Sequence, residues 1–119
     1  MEARVQMAML YDFYGSLLTV KQRQVMELYF DEDLSLGEIA AEFSVSRQAV
    51  YDTLNRAEAA LKSYEDCLGL LKKHRERVTW RARIEKLLLA LAKTDTTPEQ
   101  RKLIVEILKL LDSKTPGGD

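Results

Sequence analysis

The chain has 119 residues, 46% apolar and 31% charged, and its 18 Lys and Arg against 19 Asp and Glu give a formal net charge of −1. These are ordinary values for a soluble globular chain with one domain's worth of mass, and no apolar run approaches the ~20 residues that span a bilayer. One cysteine, Cys67, and one histidine, His74, exclude an internal disulfide and a Cys/His zinc site.

In chain order, MEARVQMAML opens without a basic segment ahead of a clean apolar stretch, so no secretory signal and a cytoplasmic address are expected. A first helix is expected over about residues 2–17, with Val5, Met9, Leu10, Phe13 and Leu17 on one stripe. Thr19-Val20-Lys21-Gln22 fits a capping box, in which the hydroxyl accepts from the third backbone N–H and the Gln reaches back. It opens a second helix over about 20–30, closed by the acidic turn Asp31-Glu32-Asp33. Ser35-Leu36-Gly37-Glu38 opens a short third helix over 36–43, and Ser46 caps a long fourth. A fifth is expected over about 79–93. The box Thr97-Pro98-Glu99-Gln100 opens the last, over about 98–112, with Pro98 suited to the first helical position. The tail, 113–119, is expected to fray. No run alternates as a half-buried strand does.

In the fourth helix Val50, Leu54, Ala57, Leu61, Tyr64, Leu68 and Leu71 recur at spacings of four and three, a heptad seam. It serves either as one face packed on the chain's own helices or as a homodimer seam through Leu54, Leu61 and Leu68. After Leu71 the phase breaks, and Trp80, Ile84, Leu87, Leu88 and Leu91 fall out of register. A kink or turn between Lys72 and Thr79 is expected, aided by Gly69. Trp80 is expected in the core, and Leu103, Ile104, Ile107, Leu108 and Leu111 form a wide face suited to pairing with its stripe.

The stretch SLGEIAAEFSVSRQAVYDTLNRAEAAL, 35–61, reads as a helix-turn-helix. Ala40 is the small residue where the two helices touch. Ile39, Phe43, Val45, Val50 and Leu54 supply the apolar contacts, and Ser46 the cap. Ser44 stands in the turn where glycine's freedom at positive φ is favoured. Ser46, Arg47, Gln48, Tyr51, Asn55 and Arg56 are the candidate nucleic-acid contacts on the second helix.

This pattern resembles region 4 of bacterial sigma factors over about 17–62, including the Arg56-Ala57 step and Leu61. With its flanks, through LTVKQ, DLSLGEIA and VSRQAVYD, the stretch 11–71 is similar to the YlxM family of small bacterial proteins. The resemblance implies a cytoplasmic helix-turn-helix protein encoded beside the signal recognition particle GTPase Ffh, taking part in or regulating that pathway. The fold expected is all-α: a sigma region-4-like helix-turn-helix with a long fourth helix and a C-terminal helical hairpin. Residues 1–71 make the helix-turn-helix domain, and 72–112 a basic segment packed on it.

Charge is split between the halves. Residues 1–66 hold 6 Lys and Arg against 12 Asp and Glu, and 67–119 hold 12 against 7. Lys72, Lys73, Arg75, Arg77, Arg81, Arg83 and Lys86 crowd the start of the basic half. These seven suit phosphate neutralisation on signal recognition particle RNA, with Trp80 as a base-stacking surface. The expectation ranked first is an accessory or regulator of that particle, binding its RNA, Ffh or both. A DNA-binding regulator using the recognition helix ranks second, because the half that holds the motif is acidic and Asp52 sits on the reading helix. A protein-interaction module is the third. No enzyme and no cofactor are expected. There is no Gly-rich phosphate loop, the carboxylates are scattered, His74 reads as a surface residue, and Cys67 as a small buried apolar one.

Overall fold

Residues rich in helix formers, with no proline before Pro98, satisfy their backbone most cheaply as helix. The computed structural model describes residues 3–112, and among these every regular element is helical. The helices are α1 (Ala3–Tyr14), α2 (Val20–Met26), α3 (Leu36–Phe43), α4 (Arg47–Leu68), α5 (Leu70–Ala92) and α6 (Pro98–Asp112). A 3-10 turn, Gly15–Leu17, follows α1, and a π turn, Glu27–Asp31, follows α2. The chain divides into two units at the Lys72–Lys73 bond.

In the first unit the expected caps form. Thr19 and Gln22 bond reciprocally, as do Ser35 and Glu38, and Ser46 accepts from the Ala49 N–H at 3.0 Å. The core joins α1, α2, α3 and α4 through Leu10, Tyr14, Val25, Met26, Ile39, Val50, Ala57 and Leu61. Each fully buried large side chain there contributes about 1.5–3 kcal/mol. On α1 the buried face differs from the expected stripe. Met7, Leu10 and Tyr14 are inside, while Val5 and Leu17 are exposed. The spacing 7, 10, 14 and then Leu18 is equally helical, and it draws in a tyrosine whose hydroxyl has a buried task.

The acidic turn after α2 is held from α1. Arg4 donates through Nη2 to the carbonyl of Tyr29 at 3.1 Å and to Asp33 Oδ1 at 3.1 Å. Its guanidinium also lies over the Tyr29 and Phe30 rings. Carbonyls left open at the end of a helix thus gain a charged donor.

The break after the heptad seam comes earlier than expected. It lies at Gly69, where φ is +63°, and not between Lys72 and Thr79. A Cβ at Gly69 would meet nothing within 4 Å, so the conformation alone calls for glycine. From Leu70 a new helix runs without interruption to Ala92. Its open N-terminus is closed by Tyr14 and Glu65. The Leu70 N–H donates to the Tyr14 hydroxyl at 2.9 Å, and that hydroxyl donates to Glu65 Oε1 at 2.6 Å. Glu65 also accepts from the N–H groups of Leu71 and Lys72 at 3.0 and 3.1 Å. A carboxylate on a helix N-terminus meets both free donors and the favourable end of the dipole.

The seam itself faces inward. Leu54 and Leu61 are buried in the chain's own core, so they are not free to form a homodimer seam, and Leu68 alone of that trio is exposed. Cys67 is exposed, contrary to the expectation of burial, because it precedes the break on the outer face of α4.

The second unit holds the rest of α5, the connection 93–97 and α6. Thr97 and Gln100 form the expected capping box, and Arg101 donates to the Thr96 carbonyl at 2.9 Å. Ile104 is buried and Ile84, Leu88, Leu108 and Leu111 are half-buried. Trp80 is exposed, as are Leu87 and Leu91, so the expected core role of the tryptophan is not met. The tail 113–119 lies outside the described residues.

Burial and the bond to Glu65 push the Tyr14 phenol pKa up. Burial and the bond to Glu27 push that of Tyr11 up to about 12. A phenol kept neutral by the fold adds stability below its ordinary pKa of 10.0 and loses it as pH rises through the folded value. Urea midpoints are therefore expected to hold steady up to about pH 10 and fall towards about pH 12. Tyr14→Phe, which strands the Leu70 N–H, is expected to cost about 1–3 kcal/mol at neutral pH and to flatten part of that fall. A wild-type profile flat to pH 12 contradicts the assignment.

Candidate nucleic-acid interface

A reading helix must enter a groove with its first two turns uncovered and its back locked to a scaffold. In this chain α3 is the candidate scaffold and α4 the candidate reader. Ala40 is buried where the two helices meet, beside Ile39 and Val50. Ser44 adopts φ +56°, ψ +45° and donates its N–H back to the carbonyls of α3, which ends that helix and turns the chain into α4. Glycine's conformation is thus imposed on a serine, at a cost of about 1–2 kcal/mol.

Beyond the turn the six recognition-helix candidates share one condition. Ser46, Arg47, Gln48, Tyr51, Asn55 and Arg56 are all exposed, while Val50, Leu54 and Ala57 on the opposite face are buried. The Arg47 side chain lies against Gly37 on α3. A Cβ at Gly37 would come within 3.0 Å of Arg47 Nε. Gly37 thus seats a candidate contact residue, a role that no spacing rule announces. Gln48 Nε2 donates to Asp52 Oδ1 at 2.9 Å, so the anion on the reading helix is partly satisfied from within it.

Several anions of this half are held in structural contacts away from residues 46–56, though each keeps its charge. Glu65 closes the start of α5, Glu27 accepts from Tyr11, and Asp33 is paired with Arg4. Glu38 sits on the N-terminus of α3, where the Ser35 backbone N–H and then its hydroxyl hold its carboxyl below the ordinary glutamate value. Over 46–56 itself there are two cations, Arg47 and Arg56, against Asp52.

The seven residues of the basic segment do not form one exposed surface. Lys72 and Lys73 are exposed in the first turn of α5, and Arg83 and Lys86 are exposed one turn apart further along it. Arg75, Arg77 and Arg81 are half-buried, as is His74. Among the described residues no cluster of His, Cys, Asp or Glu could hold a metal ion, and no helix is long and apolar enough to cross a membrane.

A short helix, a left-handed turn residue and a capped second helix with an uncovered polar face define a helix-turn-helix protein. Comparison with known families agrees. Residues 1–103 match UPF0122, described as "Putative helix-turn-helix protein, YlxM / p13 like". A UPF0122 protein of Bacillus mycoides (strain KBAB4) is 50% identical over 112 residues, covering 94% of this chain and 99% of that one. One from Thermoanaerobacter pseudethanolicus is 44% identical over 110 residues, covering 92% and 94%. The chain belongs to the UPF0122 family.

The turn generates a direct prediction. Ser44→Gly removes the left-handed penalty but adds freedom to the unfolded chain, so a net gain of about 0.5–1 kcal/mol is expected in urea unfolding. A loss of stability contradicts the account of the turn.

Proposed function

We propose that this protein is a DNA-binding regulator that reads duplex DNA through the N-terminal half of α4. The observation that carries the reading is the uncovered face Ser46, Arg47, Gln48, Tyr51, Asn55 and Arg56, set on a helix whose other face is locked into the core. Arginine suits guanine edges, and asparagine and glutamine suit adenine edges, in the major groove. Freeing Gln48 from Asp52 makes its amide available for that role.

A second reading follows the YlxM resemblance: an accessory or regulator of the signal recognition particle pathway, binding its RNA, Ffh or both. Its support on this chain is the exposed pair Arg83 and Lys86 on α5. Phosphate contacts from such residues give salt-dependent binding.

Selection from random duplexes, followed by affinity measurement, separates the two. The DNA reading expects one enriched sequence. It also expects Arg47→Ala and Asn55→Ala to weaken binding to that sequence by about ten- to a hundredfold, the ~1–3 kcal/mol of a base contact. Lys86→Glu is expected to change affinity far less. No enriched duplex, together with binding of signal recognition particle RNA that Arg83→Glu with Lys86→Glu abolishes, overturns the DNA reading in favour of the second.

A further inference from the structure

The first unit closes a core of many buried side chains, whereas Ile104 is the only buried residue among the described residues of the second. Helices in water draw most of their stability from packing an apolar face, and units of this size commonly need a partner. In the second unit the large apolar side chains lie in two rows. On α5, Trp80, Ile84, Leu87 and Leu91 recur at spacings of four, three and four, which places them on one face. Trp80, Leu87 and Leu91 are 46%, 61% and 50% exposed. On α6, Leu103 and Ile107 stand one turn apart and are 59% and 40% exposed, beside the inward row of Ile104, Leu108 and Leu111.

Between the ends of the rows the flanking charges have opposite signs, with Glu76 and Asp95 four residues beyond either end of the α5 row. Arg83 lies one turn from both Trp80 and Leu87 on α5. Glu99 and Glu106 lie one turn to either side of Leu103 on α6. All three are exposed. Packing two α5 rows together sets Arg83 against Arg83. Packing α5 on α6 sets Arg83 against the two glutamates, as flanking charges do in coiled coils. A two-fold axis then forms the same contact twice, since each copy has both rows.

We propose that the second unit is a dimerisation module, in which the Trp80–Leu87–Leu91 row of one copy packs on the Leu103–Ile107 row of another to make a four-helix arrangement. The five side chains expose on the order of 500 Å² per copy, given that large apolar residues bury roughly 150–250 Å² each. Two copies then bury about 1,000 Å², the size at which a specific interface becomes credible, before the stems of the flanking charges are counted. This surface is separate from Leu54 and Leu61, which the chain's own core occupies. The inference does not rest on the DNA reading, although two paired chains also carry two recognition helices.

Sedimentation equilibrium of the full chain tests it. The wild type is expected at twice the 13.7 kDa chain mass in the micromolar range. Leu87→Glu with Leu103→Glu is expected to weaken association at least about a hundredfold, as interface anchors do. Neither side chain is buried, so far-ultraviolet circular dichroism of that variant at monomer-forming concentrations should match the diluted wild type. A charge series guards against misfolding as the cause. Arg83→Glu alone is expected to weaken the dimer by about tenfold, and combining it with Glu99→Arg and Glu106→Arg to restore it. A wild type that stays monomeric at 100 µM, or a Leu87/Leu103 variant that dimerises as tightly as the wild type, overturns the proposal. Failure of the reversed charges to rescue overturns the α5-on-α6 pairing.

Discussion

The fold turns on the junction at Gly69. There α4 stops and a second long helix begins with no residue between them other than the glycine. Four backbone carbonyls at one end and four N–H groups at the other lose their helical partners at such a junction. Glycine's left-handed conformation turns the chain, and the Tyr14 hydroxyl and the Glu65 carboxylate take up the N–H groups of Leu70, Leu71 and Lys72. Glu65 belongs to the helix that ends, and Tyr14 to the first helix of the chain. One part-buried network therefore ties α1, α4 and the start of α5 together. Such a network is worth most when every member is satisfied.

That constraint shapes the candidate interface. With α4 fixed at its C-terminal end and packed through Val50, Leu54, Ala57 and Leu61, its first turns are left uncovered on the opposite face. The turn before it is secured by a serine in a conformation that favours glycine, and the helix before that by the Ser35–Glu38 box. Glu27, Asp33, Glu38 and Glu65, four of the twelve carboxylates of this half, are engaged in that architecture, on helix N-termini, tyrosines and an arginine. Net charge over a segment is thus a poor proxy for the field at one helix face, which depends on where each anion is held.

Local chemistry was the most legible part of the sequence. The boxes at Thr19, Ser35 and Thr97, the cap at Ser46 and the strained turn at Ser44 all depend on residues within four positions of one another. The α4 core positions followed from periodicity alone. What escaped depended on distant partners. Tyr14 lies off the expected stripe of α1, and its hydroxyl finds its acceptor only in Glu65, 51 residues away. The break was expected after Lys72 because apolar phase reports a loss of register only once the next stripe appears, whereas the turn itself needs one glycine. Trp80, Leu87 and Leu91 carry a core-like pattern, and the pattern states that a face is apolar without stating what covers it. The basic segment likewise looked like one patch in sequence. The helix then spread its seven cations around its axis and left four of them exposed.

The proposed working surface is the exposed face of α4 over 46–56. Amide chemical-shift mapping of the isotopically labelled full chain, titrated with duplex DNA and with signal recognition particle RNA, addresses it residue by residue. Duplex DNA is expected to shift the amides of Ser46 to Arg56 most, with Arg47, Tyr51 and Asn55 at the centre. Perturbations confined to 72–86, whichever nucleic acid is added, would contradict it.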